Sequence, residues 1–470
     1  MKKTFRFLSM AALLVVGTIM TGCSSDDNID NPQQPANKDN VVTLTATVGF
    51  EANATTRSVD PSTGKKTFES GNQIAVIYTN TSSETVKAVS TVFTPTGDNT
   101  TATFTVTLTN PAENSAIRYI YPATMAKDVA TDATITDDAA TIDYSGLFSS
   151  QDGTLATIGT NYDLAIKDGL TLSGTDLPAS VTLTNPLAIC KFTFEDTGSS
   201  GITSITRLTV SDGTNAYGIS TSGLSEIYVA MKPVASGNIA FTAATASKTY
   251  FRTVTGKSLA ASKLYKNITV GSMVELAVGK VFCSDGSVYA SASAATEASK
   301  SPVAKIAYLG NDAETSPTNT AFKNGLALAL GDVSGTPSWC SQKSATCLGT
   351  QYNTANTEFN DLAGIANTDA LVNHTGHTHA AASAARDYNS GTHPTGTSAW
   401  FLPSAGQWDK MADGNYTKLK TNAGLQDADV YYWSSTERRA SQAWSFNSYY
   451  GSWVSKNKDD AHQVRACLAF

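Results

Sequence analysis

The spacing of apolar and polar residues changes character along the chain. From residue 41 it runs with a period of two: in VVTLTATVGF, Val42, Leu44, Ala46, Val48 and Phe50 point one way and threonine fills most positions between them. That alternation marks a strand with one buried and one solvated face. ATFTVTLT repeats it, with Phe104, Val106 and Leu108 inward. QIAVIYT, AIRYIYPA, SVTLTN, LAICKFTFED, ITRLTV, EIYVAMKP, NIAFTAA and KLYKNITV are further strand-sized runs, divided by Asp-Gly, Asn-Pro and Ser-Gly turn signals. Many short strands without a long helical period predict a mainly β chain with two antiparallel β-sandwich domains, over residues 41–175 and 176–277, joined near the loop-rich DGLTLSGTDLPAS.

After Val278 the pattern is mixed. GKVFCSDGSVYA reads as an opening hairpin, GLALALGD as a buried strand and AAASAARDY as an alanine-rich helix. SAGQWDKMA starts with a helix-capping serine, Ser404, and strands follow around YYWSS, AWSFN and QVRACLAF. These elements predict a third, α+β domain over residues 278–470.

The first forty residues carry a different message. Lys2, Lys3 and Arg6 precede the apolar run FLSMAALLVVGTIM, which is too short to span a bilayer and reads as an export signal over residues 1–22. MTGC follows, and its small residues before Cys23 resemble the lipobox of bacterial lipoproteins, with Met20 where Leu is more usual. The resemblance implies cleavage before Cys23 and acylation of its thiol. Residues 23–40 are polar and proline-containing, so they form a flexible lipidated tether. Ser25-Asp26-Asp27 resembles the acidic signal that directs Bacteroidetes lipoproteins to the cell surface.

Composition narrows the partners. The net charge of -7 and a charged fraction of only 16% argue against nucleic acid and against an anionic lipid surface, leaving the lipid anchor as the membrane contact. Of six cysteines, Cys23 is assigned to the lipid; Cys190, inside the apolar run LAICKFTF, is expected free and buried. Cys283, Cys340, Cys347 and Cys467 remain, allow three pairings and form no CxxC, so zinc is not indicated.

Candidate chemistry is sparse. All five histidines lie beyond residue 278, and His374, His377 and His379 crowd into NHTGHTHA with His393 nearby. Imidazoles at that spacing bind Zn, Cu or Ni where a loop folds back, but the intervening Thr and Gly give no helical geometry to aim them, and no metal or cofactor is expected. Ser404 and Ser434 have no base beside them in sequence, and no nucleophile-elbow, phosphate-loop or metalloprotease motif is present, so no catalytic residue and no enzyme activity are assigned. No dense Asp/Asn run offers calcium a ligand set, and Asp459-Asp460 reads as a solvated pair. The best ligand candidate is NSYYGSWVSKNK, where Tyr449, Tyr450 and Trp453 surround Gly451 and a short hairpin cannot turn all three rings inward.

Two family resemblances organise these features. The lipobox, the strand ending in ATTR, IRYIYPAT, SSQDGTLATIGTNYDL, LAICKFTF, EIYVAMKP and LAASKLYKNITV resemble, in order and spacing, the fimbrillin (Mfa-like) family of Bacteroidetes pilus subunits and surface lipoproteins. AWFLPSAGQW, YYWSSTE, AWSFN and VRACLAF resemble the family named for the major paralogous domain of Fibrobacter, whose fold is similar to C-type lectins. The first resemblance implies transthyretin-like sandwiches and places Arg57 where an Arg-specific protease removes the lipidated end, making Ser58 the new N-terminus. Loss of strand 42–50 then opens an apolar groove for a strand donated by another subunit. The second implies that Trp433 is a core residue ahead of a scaffold turn, WSSTE, and that QVRACLAF is locked in its own sheet and cannot be donated. Cys283 and Cys467, on the first and last strands of that domain, are expected to form one disulfide and Cys340 and Cys347 another.

Together these resemblances imply an exported outer-membrane lipoprotein precursor that becomes the tip subunit of a cell-surface fimbrium. Its partners would be other pilus subunits, by strand exchange, and an unidentified host or bacterial glycan or protein. The alternatives are a permanently lipid-anchored glycan- or protein-binding lipoprotein and, further off, an enzyme on a scaffold like that of formylglycine-generating enzymes.

Overall fold

The computed structural model describes residues 40–50, 67–68, 70–96, 99–162, 164–315, 321–354, 356–426 and 428–470. The segment read as an export signal, the expected lipidation site Cys23, nearly all of the expected tether, and the pair Arg57-Ser58 lie outside the described residues.

Eight strands come first: β1 Val41–Phe50, β2 Ala75–Thr79, β3 Thr85–Val89, β4 Thr94–Thr96, β5 Thr101–Thr109, β6 Ala116–Tyr121, β7 Ala165–Thr171 and β8 Ser180–Leu183. They form two four-stranded sheets, in the orders β4-β5-β1-β8 and β3-β2-β6-β7. Leu44, Val48, Phe104, Val106 and Leu108 of the first sheet pack with Val76, Tyr78 and Tyr119 of the second. The alternation read in β1 and β5 follows from this, because only one face of their sheet is covered. Its outer face carries a threonine ladder, with Oγ1 pairs Thr43–Thr107 and Thr45–Thr105 at 3.2 Å and Thr47–Thr103 at 3.4 Å.

The second sheet is buried on both faces. Val76 and Tyr78 face the first core, while Ala75, Ile77 and Ile120 join another, built with Ile142, Leu147 and Ile158 from the β6–β7 connection. That connection holds three short helices, α1 Asp138–Thr141, α2 Ser145–Ser149 and α3 Leu155–Asn161, the last capped by the Thr154 side chain. Arg118 enters this region with its side chain fully buried, held by Asp138, by Asp168 at 3.0 Å and by the Thr141 hydroxyl at 2.7 Å.

Seven strands follow: β9 Ala188–Asp196, β10 Ile205–Ser211, β11 Ala216–Leu224, β12 Ile227–Met231, β13 Val234–Ala244, β14 Thr249–Leu259 and β15 Lys263–Glu275. Instead of a second pair of separate sheets they make one hydrogen-bonded sheet, β11-β10-β13-β14-β15-β9-β12. The reason lies in β15, which pairs with β9 as far as Met273 and then gives Val274 and Glu275 to β14. Register shifts after Tyr265 and Val270 let it bend from one neighbour to the other. Two ladders depart from the antiparallel expectation: β1–β8 and β15–β9 are parallel, and β1 and β8 are joined by a connection long enough for a crossover. The boundary expected after residue 175 also moves, since β8 completes the sheet of β1 and the change of sheet falls between Leu183 and Ala188.

The remaining elements are β16 Val281–Cys283, β17 Val288–Tyr289, α4 Ala292–Glu297, β18 Pro302–Leu309, β19 Gly325–Ala329, α5 Gly364–Val372, α6 Ala380–Arg386, α7 Ala405–Ala412, α8 Tyr416–Ala423, β20 Tyr431–Arg439, β21 Gln442–Asn447, β22 Ser452–Asn457 and β23 Cys467–Ala469. They supply a five-stranded sheet, β17-β16-β18-β19-β23, and a three-stranded one, β20-β21-β22. β19 is covered on both faces: Ala327 and Ala329 meet Trp339, Trp400 and Trp433, whereas Leu326 and Leu328 meet Phe401 and Trp408. Ser404 starts α7 in a capping box with Gln407.

Two expectations fail here for geometric reasons. WSSTE is not a turn but the middle of β20, and the chain reverses at Ala440-Ser441. Cys283 and Cys467 sit on β16 and β23 with β18 and β19 between them. Three ladder steps of about 4.8 Å separate the backbones by roughly 14 Å, about twice what a disulfide spans. Both thiols are free and buried.

Candidate functional site

β1 occupies an interior slot. It is antiparallel to β5 along its length, from Val41 opposite Thr109 to Gly49 opposite Thr101, and parallel to β8 from Thr47 to Phe50. Val48 is fully buried and Leu44 and Ala46 nearly so. Withdrawing β1 would therefore uncover Ala102, Phe104, Val106 and Leu108 on one side, Val181 and Leu183 on the other, and both facing backbone edges. At the far end of the chain, Cys467, Leu468, Ala469 and Phe470 are fully buried, with Phe470 stacked edge-on against Phe282 at 5.0 Å.

The aromatic turn between β21 and β22 divides its three rings. Tyr449 and Tyr450 are 55% and 68% exposed, against the general burial of large apolar groups in this chain. Asn447 Oδ1 accepts from both of their backbone N–H groups, at 3.0 and 2.9 Å, and Gly451 takes the left-handed conformation (φ 63°) that closes the turn. The rings meet edge to face at 5.0 Å, and the Lys420 ammonium lies 5.2 Å from the Tyr449 ring. Trp453, by contrast, is half-buried: its Nε1 donates to the Tyr416 hydroxyl at 3.2 Å, and its ring packs on Phe359 and Phe446. Trp433 and Trp444 are buried, donating to the Pro337 and Tyr352 carbonyls at 3.0 Å each. Of the three rings named from sequence, the two tyrosines form the exposed pair and the tryptophan packs inward on Tyr416, Phe359 and Phe446.

A third cluster unites parts of the sequence that looked unrelated. The segment after β19 brings Cys340 and Cys347 together, with sulfurs 3.8 Å apart and unbonded, so the expected Cys340–Cys347 bridge is not formed. His379, on the loop before α6, points at them. Beneath lie Glu437 of β20 and Lys458, an ion pair whose side chains are both fully buried. Glu437 also accepts from the backbone N–H groups of Cys347 and Leu348, and Lys458 donates to the Ala345 carbonyl at 2.6 Å. Burial pushes the Cys347 thiol up to about 12, although Lys458 pulls the other way, and burial lowers His379 to about 4, so the imidazole is neutral at pH 7. The ion pair escaped sequence reasoning because its members are separated by twenty-one positions and carry no motif. The histidine-rich loop was visible, but nothing in its spacing pointed to the two cysteines.

A polar cleft of about 540 Å³ lies between β10, β13, β14 and the loop after β18. Its charges are already engaged, Arg207 with the Asn311 carbonyl at 2.9 Å and Lys248 with Glu275 at 2.7 Å.

No protein-family profile matches the sequence, and no curated protein does either. Among solved structures the chain is similar to a fimbrial protein from Bacteroides ovatus, with 17% identity and a TM-score of 0.35 over 92% of this chain and 100% of the other. It is also similar to the tip fimbrial protein Mfa3 from Porphyromonas gingivalis, solved with a C-terminal truncation, with 11% identity and a TM-score of 0.23 over 46% of this chain and 81% of that one.

Proposed function

We propose that this chain is a fimbrial tip subunit: cleavage after Arg57 frees β1, another subunit's strand takes its place, and the C-terminal region presents an adhesive surface. The observation that carries the reading is the position of β1. It is an interior strand that directly follows the polar segment 23–40, and residues 51–66, which contain Arg57, join it to the rest of the chain. An interior strand cannot leave without an energetic penalty, because its buried Leu44 and Val48 alone contribute roughly 1.5–3 kcal/mol each. That same penalty is what an incoming strand with matching alternation recovers, so the vacated slot selects for a donor.

β23 supports the other half of the reading. It pairs with β19 at the end of the five-stranded sheet and its residues are fully buried, so giving it to a neighbour would strip β19 of that partner and open the cores on both faces. A subunit that accepts a strand but donates none belongs at the end of a filament. Tyr449 and Tyr450, exposed on a braced turn, are the residues best suited to contact a glycan or protein ligand, since tyrosine offers a large rigid face with a polar edge.

The test is the N-terminus of the mature protein on cells and on sheared surface filaments. A start at Ser58 in filament material is the expected result. A chain found only with acylated Cys23, and absent from filaments, would refute the tip assignment and leave an anchored binding lipoprotein.

A further inference from the structure

Among the described residues, Cys340, Cys347 and His379 place their ligand atoms within 4.8 Å of one another. Strand exchange makes no use of this group. The sulfur–sulfur distance is 3.8 Å. A disulfide requires about 2.05 Å, whereas two thiolates bonded at about 2.3 Å to one tetrahedral ion stand about 3.8 Å apart.

The imidazole is prepared in the same sense. His379 Nδ1 lies 3.3 Å from the Trp339 carbonyl oxygen, which can only accept, so the ring carries its proton on Nδ1. Nε2 is left buried with no hydrogen-bond partner, a lone pair that weakens the fold unless something takes it up. A backbone carbonyl on one ring nitrogen, with the other bare, is how proteins commonly orient a metal-bound histidine.

We propose that Cys340, Cys347 and His379 bind a single Zn²⁺ ion, with His374 as the fourth ligand. His374 brings its ring centroid to 5.1 Å from that of His379, and its Nδ1 is likewise buried without a partner. Two imidazoles on one tetrahedral zinc have centroids about 5 Å apart. The charges balance: two thiolates neutralise the dication, and Lys458, 3.8 Å from the Cys347 sulfur, is already neutralised by Glu437. Ligation is a substitution, in which each thiol gives its proton to water and no electron moves. Cys347, His374 and His377 are only half-buried, which leaves the ion a route from solvent. Cys340, Cys347 and His379 need little rearrangement, because Glu437 pins the backbone at Cys347 and Leu348 and the Trp339 carbonyl orients His379, while His374, outside that 4.8 Å group, moves inward to complete the set.

The experiment uses the whole mature chain, purified under reductant, stripped with chelator and titrated with Zn²⁺, and with Co²⁺ as an optical probe. The expected result is about one metal per chain, with a cobalt spectrum that combines sulfur-to-cobalt charge transfer and intense tetrahedral bands. Cys340→Ser and Cys347→Ser should each cut the charge-transfer band to about half and the double variant should abolish it, and His379→Gln should weaken affinity by about tenfold or more. Circular dichroism of each variant establishes that it has folded, and the titration of the native chain stands without any variant. Failure of the reduced, folded native chain to take up Zn²⁺, or a cobalt spectrum without a sulfur band, overturns the proposal. So does a stoichiometric Cys340–Cys347 disulfide in protein isolated from cells under non-reducing conditions.

Discussion

Replacing Lys458 with methionine removes one half of a fully buried ion pair and leaves the Glu437 carboxylate behind. The carboxylate keeps the Cys347 and Leu348 backbone donors but loses its counter-ion, and the Ala345 carbonyl loses its donor at 2.6 Å. Breaking a buried pair from one side costs about 3–5 kcal/mol. Urea unfolding followed by tryptophan emission is the appropriate assay, because all six tryptophans lie between Trp339 and Trp453 and so report on the C-terminal region alone. With a denaturant slope of about 2–3 kcal/mol/M, the midpoint should fall by roughly 1–2 M. The measurement is made in chelator so that no bound ion contributes. The double variant Lys458→Met/Glu437→Gln should recover at least half of the loss, since it retains an acceptor for Leu348 without a buried charge. A midpoint shift under about 0.3 M for the single variant, or strictly additive effects in the double one, would refute the account of Glu437 as a carboxylate that depends on Lys458.

Three further outcomes are expected. Val48→Asp places a charge at a fully buried position of β1, and amide exchange in β5 and β8 should accelerate while tryptophan emission is unchanged. His462 is lowered to about 4, first by burial and then by Lys456, with Asp460 opposing and the Tyr431 and Trp433 rings at 5.3 and 4.6 Å. Because the unfolded chain binds this proton more readily, the stability contribution is complete above about pH 6.5 and declines towards pH 4; His462→Gln should flatten that part of the melting-temperature profile, and an unchanged slope counts against it. Tyr449→Ala and Tyr450→Ala should leave thermal stability within about 0.5 kcal/mol while reducing adhesion to the natural ligand, whereas Trp453→Ala, which removes a half-buried ring and its bond to Tyr416, should destabilise by about 2 kcal/mol; equal stability losses at all three positions would remove the distinction between exposed contact residues and a packed one.

How far the sequence reveals the structure depends on how many faces of each strand are covered. β1 and β5 are legible because their sheet is solvated on one side, so threonine and apolar residues alternate. β2 reads AVIYT without alternation because cores lie on both sides of it, and β19 is continuously apolar for the same reason. β20 misleads in the opposite direction. Ser434, Ser435, Thr436 and Glu437 look like a turn yet are fully buried, with Ser434 donating to the Trp444 carbonyl at 2.8 Å and Thr436 to Asp361 at 2.6 Å. A strand whose inward side chains are polar and satisfied has no hydrophobic period to betray it. The tyrosine pair was nameable from the local density of rings around a glycine. The sulfur–imidazole cluster was not, because the fold assembles it from two separate loops and places the Lys458–Glu437 pair beneath it.

The neighbours of β1 differ in direction: β5 runs against it and β8 runs with it. Those two flanking strands are therefore antiparallel to each other, and the space between them offers one ladder of each kind whichever way a strand is inserted. Reversing the insert merely exchanges which side is parallel. Backbone pairing thus admits either polarity in this slot, with the longer β5 ladder giving a modest preference for an insert antiparallel to it. Side chains add the rest, by which end presents a residue small enough for the site of Ala46 and which presents one to fill the site of Leu44.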